Sequence, residues 1–205
     1  MTGAHMTKDQ RGNLLGQAWL VLCLSLAFGA ALAGVEIGLG PTITENKRNE
    51  TFGQIPSLVP GAASEVSTEA VMDGIPVFEA RAEDGSQVGW VVPAGGQGFA
   101  DRIEILVGLD LPAERITGIY VLSQKETPGL GDFITDEERF RHWYRNQSTD
   151  PPLEVVKSEP QPGTGKIMAL TGATISTDAV TDIVNRSVAE FKVTLAGSPA
   201  ASGGA

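Results

Sequence analysis

The chain has 205 residues, of which 41% are hydrophobic and 20% charged, and its formal net charge is −10. This composition is typical of a globular domain with an appendage and excludes a chain that is disordered throughout. The acidic balance argues against a nucleic-acid partner, because phosphate contacts need clustered Lys and Arg side chains. One cysteine, Cys23, and two histidines, His5 and His142, exclude a disulfide framework, a cysteine-based zinc or iron–sulfur centre and a multi-histidine metal site.

The first element in chain order is an apolar segment, Leu14–Val35, which has 22 residues and no charge. As a helix it is about 33 Å long, which matches a hydrocarbon core of about 30 Å and predicts a transmembrane helix. A cleaved signal peptide is the alternative, because Ala31–Gly34 resembles a small-residue cleavage site. The apolar run exceeds the ~7–15 residues usual in signal peptides, and this favours a retained anchor.

The charges that flank this segment predict its orientation. Lys8 and Arg11 precede it, whereas Glu36 follows it directly. Because cytoplasmic flanks carry an excess of Lys and Arg, we expect residues 1–13 in the cytoplasm. The rest of the chain is then on the periplasmic, extracytoplasmic side of the inner membrane. The opening residues 1–6 are typical in part of an expression-vector remnant, so we assign no function to His5.

The remaining residues predict an α+β domain, because short strand-like segments are followed by helical ones. We expect residues 36–62 to form a juxtamembrane segment, residues 63–195 the domain and residues 196–205 a disordered tail. The predicted elements are a short helix at Thr42–Phe52 ended by Pro56, Pro60 and Gly61, strands at Val71–Ala82 and Gln87–Val92 around the turn Glu83–Ser86, a loop at Gly95–Gly98, strands at Ile103–Leu109 and Ile116–Ser123, and a short helix at Thr135–Tyr144.

The last predicted helix has the clearest pattern. From Ile175 onward, apolar residues recur at spacings of three and four, which is typical of a helix with one apolar face. The stripe consists of Ala179, Val180, Ile183, Val184, Val188, Phe191 and Leu195.

Three features resemble catalytic or nucleotide-binding motifs but lack required residues. Pro162–Lys166 resembles the end of a Walker A loop, without its first glycine and without the Ser or Thr after the lysine. Gly96–Gly98 resembles a dinucleotide fingerprint, without the third glycine. His142 has no nucleophile elbow of the G-x-S-x-G kind to serve. We therefore expect no catalytic residue.

The segment Leu170–Thr177 opens the last helix and has the features of an anion site. The first amides of a helix lack partners within it, and the helix dipole is positive there. Gly172 and Ala173 leave room beside the backbone. Hydroxyls come from Thr171, Thr174, Ser176 and Thr177, and a nearby cation comes from Lys166. Ser and Thr are also the preferred helix caps, so an ordinary cap is the alternative interpretation of these residues alone.

Three strings carry a resemblance to a known family. Thr171–Thr174 resembles the (S/T)-G-A-T motif of FMN-binding domains in respiratory membrane complexes. Val121–Ile134 is similar to the E-T-P-G-L-G loop of the G subunit of the Rnf electron-transport complex, and Val107–Asp110 with Ile116–Ile119 resembles the stretch before that loop. The resemblance covers residues 14–195, and the C subunit of the sodium-pumping NADH:quinone oxidoreductase is a more distant relative. One position departs from the family motif: Met168 stands where an acid is usual.

The resemblance implies where a flavin is held. In those families the last threonine of the motif is joined to the FMN phosphate by a phosphoester, and this residue is Thr174. The residues around the phosphate are then Thr171, Gly172, Ala173, Ser176, Thr177 and Lys166. The loop Glu126–Gly131 is expected to lie against the isoalloxazine ring, with contacts from Glu126, Thr127, Gly129, Leu130 and Gly131.

The resemblance also implies a function. The chain is expected to be a membrane-anchored flavoprotein that relays electrons within an Rnf-type ferredoxin/NAD oxidoreductase coupled to ion transport, as a subunit without catalytic activity of its own. Its expected partners are the other subunits of the complex, a flavin transferase during maturation and membrane lipid. Two alternatives stay open: an FMN electron donor to another extracytoplasmic reductase, and an anchored binding or scaffold module without flavin.

Overall fold

The computed structural model of the protein describes residues 8–197. The predictions for residues 1–7 and 198–205, among them most of the tail, lie outside the described residues. The chain divides into two compact units, residues 1–47 and residues 48–205.

The first unit consists of the long part of helix α1, which runs from Lys8 to Leu58. Within α1, the stretch Ala18–Leu58 has the length and composition of a membrane-crossing helix. Its apolar side chains are exposed on every face, as Trp19, Leu26 and Leu32 show. The predicted short helix Thr42–Phe52 is not separate but is part of α1, because the polar residues after Thr44 include good helix formers such as Glu and Lys.

The second unit is built on an antiparallel sheet of six strands in the order β1-β2-β3-β4-β5-β6. The strands are β1 (Ala63–Met72), β2 (Ile75–Arg81), β3 (Gln87–Gln97), β4 (Arg102–Asp110), β5 (Arg115–Ser123) and β6 (Gln147–Ser148). A separate parallel pair consists of β7 (Glu154–Val156) and β8 (Lys166–Met168). Helix α2, Thr174–Gly197, follows β8. The α+β fold class is therefore confirmed.

The strands predicted at Ile103–Leu109 and Ile116–Ser123 are confirmed as β4 and β5. The prediction of one strand over Val71–Ala82 was wrong, because Asp73 and Gly74 form a two-residue turn between β1 and β2. Both turn residues have positive φ angles, 50° and 79°, which is the conformation that tight hairpins need. The loop predicted at Gly95–Gly98 is also mostly strand, since β3 continues to Gln97.

The two faces of the sheet carry separate cores, because side chains alternate between faces along a strand. On β4, Ile103, Ile105 and Val107 face the larger core, which also contains the stripe of α2. Leu106 points to the opposite face, where the last residues of α1 and the turn after it pack. The predicted stripe is confirmed for its central members, since Val180, Ile183, Val184, Val188 and Phe191 are buried.

The helix predicted at Thr135–Tyr144 was wrong. This segment instead contains the end of one 3-10 turn, Gly131–Thr135, and a second one, Arg141–Tyr144. Between them the Asp136 side chain accepts a hydrogen bond from the Arg139 amide. Local side-chain bonds of this kind compete with helical backbone bonds.

Candidate functional site

The start of α2 is shaped by the residues before it. Gly172 has a φ of 80°, which favours glycine, and the Ala173 amide donates to the Leu170 carbonyl at 3.0 Å. Helix α2 begins at Thr174, and the Thr177 amide bonds back to the Ala173 carbonyl at 3.0 Å. The amides of residues 174–176 therefore lie at the positive end of the helix dipole, ahead of its regular bonding pattern.

A row of buried hydroxyls supports this first turn from beneath. The Thr177 hydroxyl donates to the Ala173 carbonyl and accepts from the Leu170 amide, each at 3.1 Å. The Thr181 hydroxyl donates to the Thr177 carbonyl at 2.9 Å and accepts a 2.8 Å bond from the Tyr144 hydroxyl. Burial raises the pKa of the Tyr144 phenol well above its ordinary value. Thr177 thus acts as a cap and support for the helix start.

The loop after β5 turns tightly at Pro128 and Gly129. The amides of Leu130 and Asp132 both donate to the Thr127 carbonyl, at 3.1 Å and 3.3 Å. Gly129 has a φ of 77°, as a Pro-Gly turn requires. The turn brings Leu130 to Gly172, where an added Cβ would lie 3.0 Å from Leu130 Cδ2.

A cleft of about 450 Å³ lies between this loop and the start of α2. One side, which we name the helix wall, consists of residues 172–176. The other side, which we name the loop wall, consists of Phe99, Thr127, Leu130 and Gly131. Small-molecule sites in proteins commonly have volumes of about 300–1,000 Å³. A second groove, between α2 and β3, is smaller at about 230 Å³.

The two walls differ in chemistry. The helix wall presents the first amides of α2 together with the hydroxyl of Thr174, so it suits an anion. The loop wall presents apolar surface from Phe99 and Leu130, which are 59% and 44% exposed. Ile175, at 59% exposure, adds apolar surface from the helix side. Exposed apolar side chains around one concave site are typical of a ligand with a flat, apolar part.

The structure brings most of the predicted site residues together. Seven of the predicted residues line the cleft: Thr127, Leu130, Gly131, Gly172, Ala173, Thr174 and Ser176. Four others lie outside its lining. Thr171 and Gly129 are exposed beside it, Thr177 is buried beneath it, and Lys166 lines a different groove with Ser158 and Thr164.

Glu126, the remaining predicted residue, lies behind the cleft and is only 4% exposed. Its Oε2 accepts from the Ser176 hydroxyl at 2.5 Å, and its Oε1 accepts from the Ala100 amide at 3.1 Å. Sequence reasoning missed Phe99 and Ile175 as lining residues. The sequence did contain a signal for Phe99, since it is an aromatic residue between Gly98 and a polar turn. Turns are usually formed by polar residues and glycine, so an aromatic side chain there indicates a role other than forming the turn.

A known family model covers both walls of this cleft. Residues 98–189 match the family model described as the FMN-binding domain, and this range includes both walls. The G subunit of an ion-translocating oxidoreductase complex from Methanosarcina acetivorans is 33% identical over 142 residues, which are 68% of this chain and 70% of that protein. The chain belongs to the family of G subunits of ion-translocating oxidoreductase complexes. The predicted family is therefore confirmed.

Other G subunits show the same relation over shorter ranges. The G subunit of the Na(+)-translocating ferredoxin:NAD(+) oxidoreductase complex of Acetobacterium woodii is 32% identical over 63% of this chain and 61% of its own length. Its counterpart from the proton-translocating complex of Clostridium ljungdahlii is 37% identical, over 49% of this chain and 52% of its own length. These relatives are thus named for different translocated ions.

Solved structures confirm the fold. NqrC of Shewanella oneidensis superposes with a TM-score of 0.54 at 23% identity, over 64% of this chain and 70% of that one. The C subunit of the Na(+)-translocating NADH-quinone reductase of Parabacteroides distasonis gives a TM-score of 0.50 at 24% identity, over 58% and 61% of the two chains.

Proposed function

We propose that this G subunit carries FMN joined by a phosphoester to Thr174 and relays electrons within an Rnf-type ferredoxin/NAD oxidoreductase coupled to ion transport. The observation that supports this most directly is the cleft, in which Thr174 lies on the helix wall, at the start of α2 and across from the apolar loop wall. When bound, the flavin supplies the capacity to accept and pass on electrons.

The residues present fit FMN. The amides at the start of α2 would bind the phosphate, because the helix dipole and unpaired N–H groups favour an anion there. Leu130, Phe99 and Ile175 would pack against the isoalloxazine ring and exclude water from it. Thr174 is half-buried at the cleft, so its hydroxyl is accessible for modification. The surrounding wall would limit the orientations that the attached FMN can adopt.

The linkage requires an activated donor and a partner enzyme. A flavin dinucleotide is the class of donor we propose, with a flavin transferase as the enzyme. The Thr174 Oγ–P bond forms as the pyrophosphate bond of the donor breaks, a nucleoside monophosphate leaves, and the hydroxyl proton passes to solvent. No electrons are exchanged in this step.

The deciding experiment is the intact mass of the full chain, expressed in membranes together with a flavin transferase. We expect the mass of the chain plus FMN, and a fluorescent band on a denaturing gel under ultraviolet light. Thr174→Ala should remove both signals completely. Thr68→Ala is the matched control, because it deletes the same group from an exposed residue on β1, outside the cleft lining and the motif, and it should keep the flavin.

Two outcomes contradict the proposal. A fluorescent band that persists in Thr174→Ala would show that FMN is attached to another residue. A wild-type chain without the FMN increment favours an anchored binding module instead.

We further propose that α1 anchors the chain in the inner membrane once, with the second unit on the extracytoplasmic side. The apolar, exposed stretch that begins at Ala18 supports this, because water disfavours an uncovered apolar surface of this length. Since Cys23 is the single cysteine, a Cys23→Ser chain with Ser86→Cys has one thiol in an exposed turn. A membrane-impermeant maleimide should label it in intact cells. Labelling only after cell lysis would indicate the opposite orientation, with the second unit in the cytoplasm.

A further inference from the structure

Glu126 is buried in the protein although its side chain ends in a carboxyl group. Its exposure is 4%, and glutamates are rarely this buried unless they are paired. Among the ion pairs of residues 8–197 none involves Glu126, whereas its neighbour Lys125 pairs with Asp101 at 3.1 Å. A buried acid without a cation needs another reason for its position.

The Glu126 carboxylate joins three segments that line the cleft. Its Oε1 accepts from the Ala100 amide at 3.1 Å, in the turn that carries Phe99. Its Oε2 accepts from the Ser176 hydroxyl at 2.5 Å, in the first turn of α2. The third segment is its own loop, which continues into Thr127. Both oxygens act as acceptors, which is the bonding pattern of an ionised carboxylate.

The surrounding glycines show how closely these segments meet. A Cβ added at Gly98 would collide with Glu126 Oε1. A Cβ added at Gly131 would lie 2.9 Å from Glu126 Cβ and 2.8 Å from the Ser176 hydroxyl oxygen. Gly131 and Ser176 also line the cleft, so the carboxylate is separated from the ligand space by one layer of protein.

We propose that Glu126 is a positioning residue that holds the two walls together and makes the reduction potential of the bound flavin more negative. Adding electrons to the ring beside a buried negative charge is unfavourable, and the effect is larger where water is excluded. This inference rests on the proposed function, because it needs FMN in the cleft.

Two substitutions separate the charge of Glu126 from its geometry. Glu126→Gln keeps the size and an acceptor oxygen but removes the charge. At a fixed ambient potential we expect its ratio of reduced to oxidised FMN to rise at least tenfold, which is about 30 mV for a two-electron couple. Glu126→Asp keeps the charge but is one methylene too short to reach both Ala100 and Ser176. We expect Glu126→Asp to carry severalfold less FMN, but the FMN that it carries should show the same ratio of reduced to oxidised form as in the wild type.

The matched control is Asp101→Asn, which removes an acid with a half-exposed side chain from the turn that Glu126 binds. Solvent screens this charge, and we expect a change of less than twofold in the same ratio. A Glu126→Gln ratio within the range of this control overturns the inference while leaving the proposed function intact. A wild-type chain that binds no FMN overturns both.

A final variant covers the case in which Glu126→Gln carries too little flavin to titrate. Ser176→Ala removes the hydrogen bond to Oε2 and leaves the charge in place. Without this hydrogen-bond donor, the negative charge of the carboxylate is less compensated, so the ratio of reduced to oxidised FMN should fall. An unchanged or raised ratio contradicts the proposed role of the charge.

Discussion

The helix wall and the loop wall of the cleft are built in different ways. The helix wall is one continuous string, residues 172–176, fixed by backbone bonds and by the hydroxyl row beneath it. The loop wall combines Phe99 with residues from the loop after β5, and of the described residues in it only Gly131, at the start of a 3-10 turn, belongs to a regular element. One wall is therefore set by local helix chemistry, whereas the other depends on tertiary contacts.

This difference suggests separate tasks for the two walls. The polar helix wall suits the covalent and phosphate end of a flavin, and the apolar loop wall suits its ring. Substitutions in the helix wall should then change whether flavin is attached, whereas substitutions in the loop wall should change how the ring is held.

Apart from Thr174 itself, the largest effect is expected at Gly172, where the walls touch. Gly172→Val places a branched side chain at a positive φ and against Leu130, where even a Cβ would lie 3.0 Å from Cδ2. We expect FMN attachment to become about tenfold to a hundredfold slower, because small displacements at a reacting group have effects of this size. The rate is measured from the mass increment during incubation with transferase and donor.

Gly163→Val is the control for Gly172→Val. Gly163 has a similar φ of 76°, but an added Cβ meets nothing within 4 Å. Both variants should lose about 1–2 kcal/mol of stability from the backbone conformation alone. Equal attachment rates in the two variants would contradict a specific role for the contact between the walls.

An intermediate effect is expected at Phe99. Phe99→Ala should leave FMN attached, since the proposed linkage is on the opposite wall, but should loosen the ring by about 0.5–1.5 kcal/mol of aromatic contact. The flavin should show stronger emission and lower fluorescence anisotropy. Val71→Ala, at a more exposed apolar residue on β1, should change neither quantity. Loss of the flavin from Phe99→Ala would assign attachment to both walls.

The smallest effect is expected beneath the helix wall. Tyr144→Phe removes the hydroxyl that bonds Thr181 and should cost about 0.5–1.5 kcal/mol of stability at pH 7, with FMN attachment unchanged. Because burial raises the pKa of Tyr144 in the folded chain, its contribution is complete below the unfolded pKa of about 10 and is lost as pH rises further. The wild type should therefore lose more stability than the variant between pH 9 and 11.

Denaturant unfolding of the full chain in detergent measures this difference. Tyr120→Phe is the comparison, since Tyr120 bonds Glu50 at 3.0 Å and burial also raises its pKa, but it is only half-buried. Its alkaline effect should be smaller. An identical pH dependence in wild type and Tyr144→Phe would contradict the burial argument.

The same contrast explains how much of the site the sequence predicts. Thr174 and its neighbours form one string at the start of a strongly periodic helix, so local chemistry is enough to propose an anion site. Phe99 could not be placed by such reasoning, because it is brought to the cleft by the turn between β3 and β4. The distinction between Glu126 as a ring contact and Glu126 as a buried link likewise needs the tertiary structure.

The fold follows a similar rule. Strands β4 and β5 and helix α2 are predicted because their apolar residues recur with the right period. The turn at Asp73 and Gly74 carried a usable signal, since an Asp-Gly pair between strand-like residues is typical of a tight hairpin. The segment Thr135–Tyr144 carried a misleading signal, because the order of its charges is typical of a helix. The apolar residues in and beside it, Ile134, Phe140 and Tyr144, are instead buried by tertiary packing.

The bonds of Glu126 also bear on how the chain folds. They join residues that are 26 and 50 positions apart in the sequence, to Ala100 and Ser176. Closing loops of this length costs chain entropy before any contact is gained, so contacts of this kind tend to slow folding. A newly made chain displays Thr174 as soon as α2 is complete, but the cleft around it exists only after these distant segments have met.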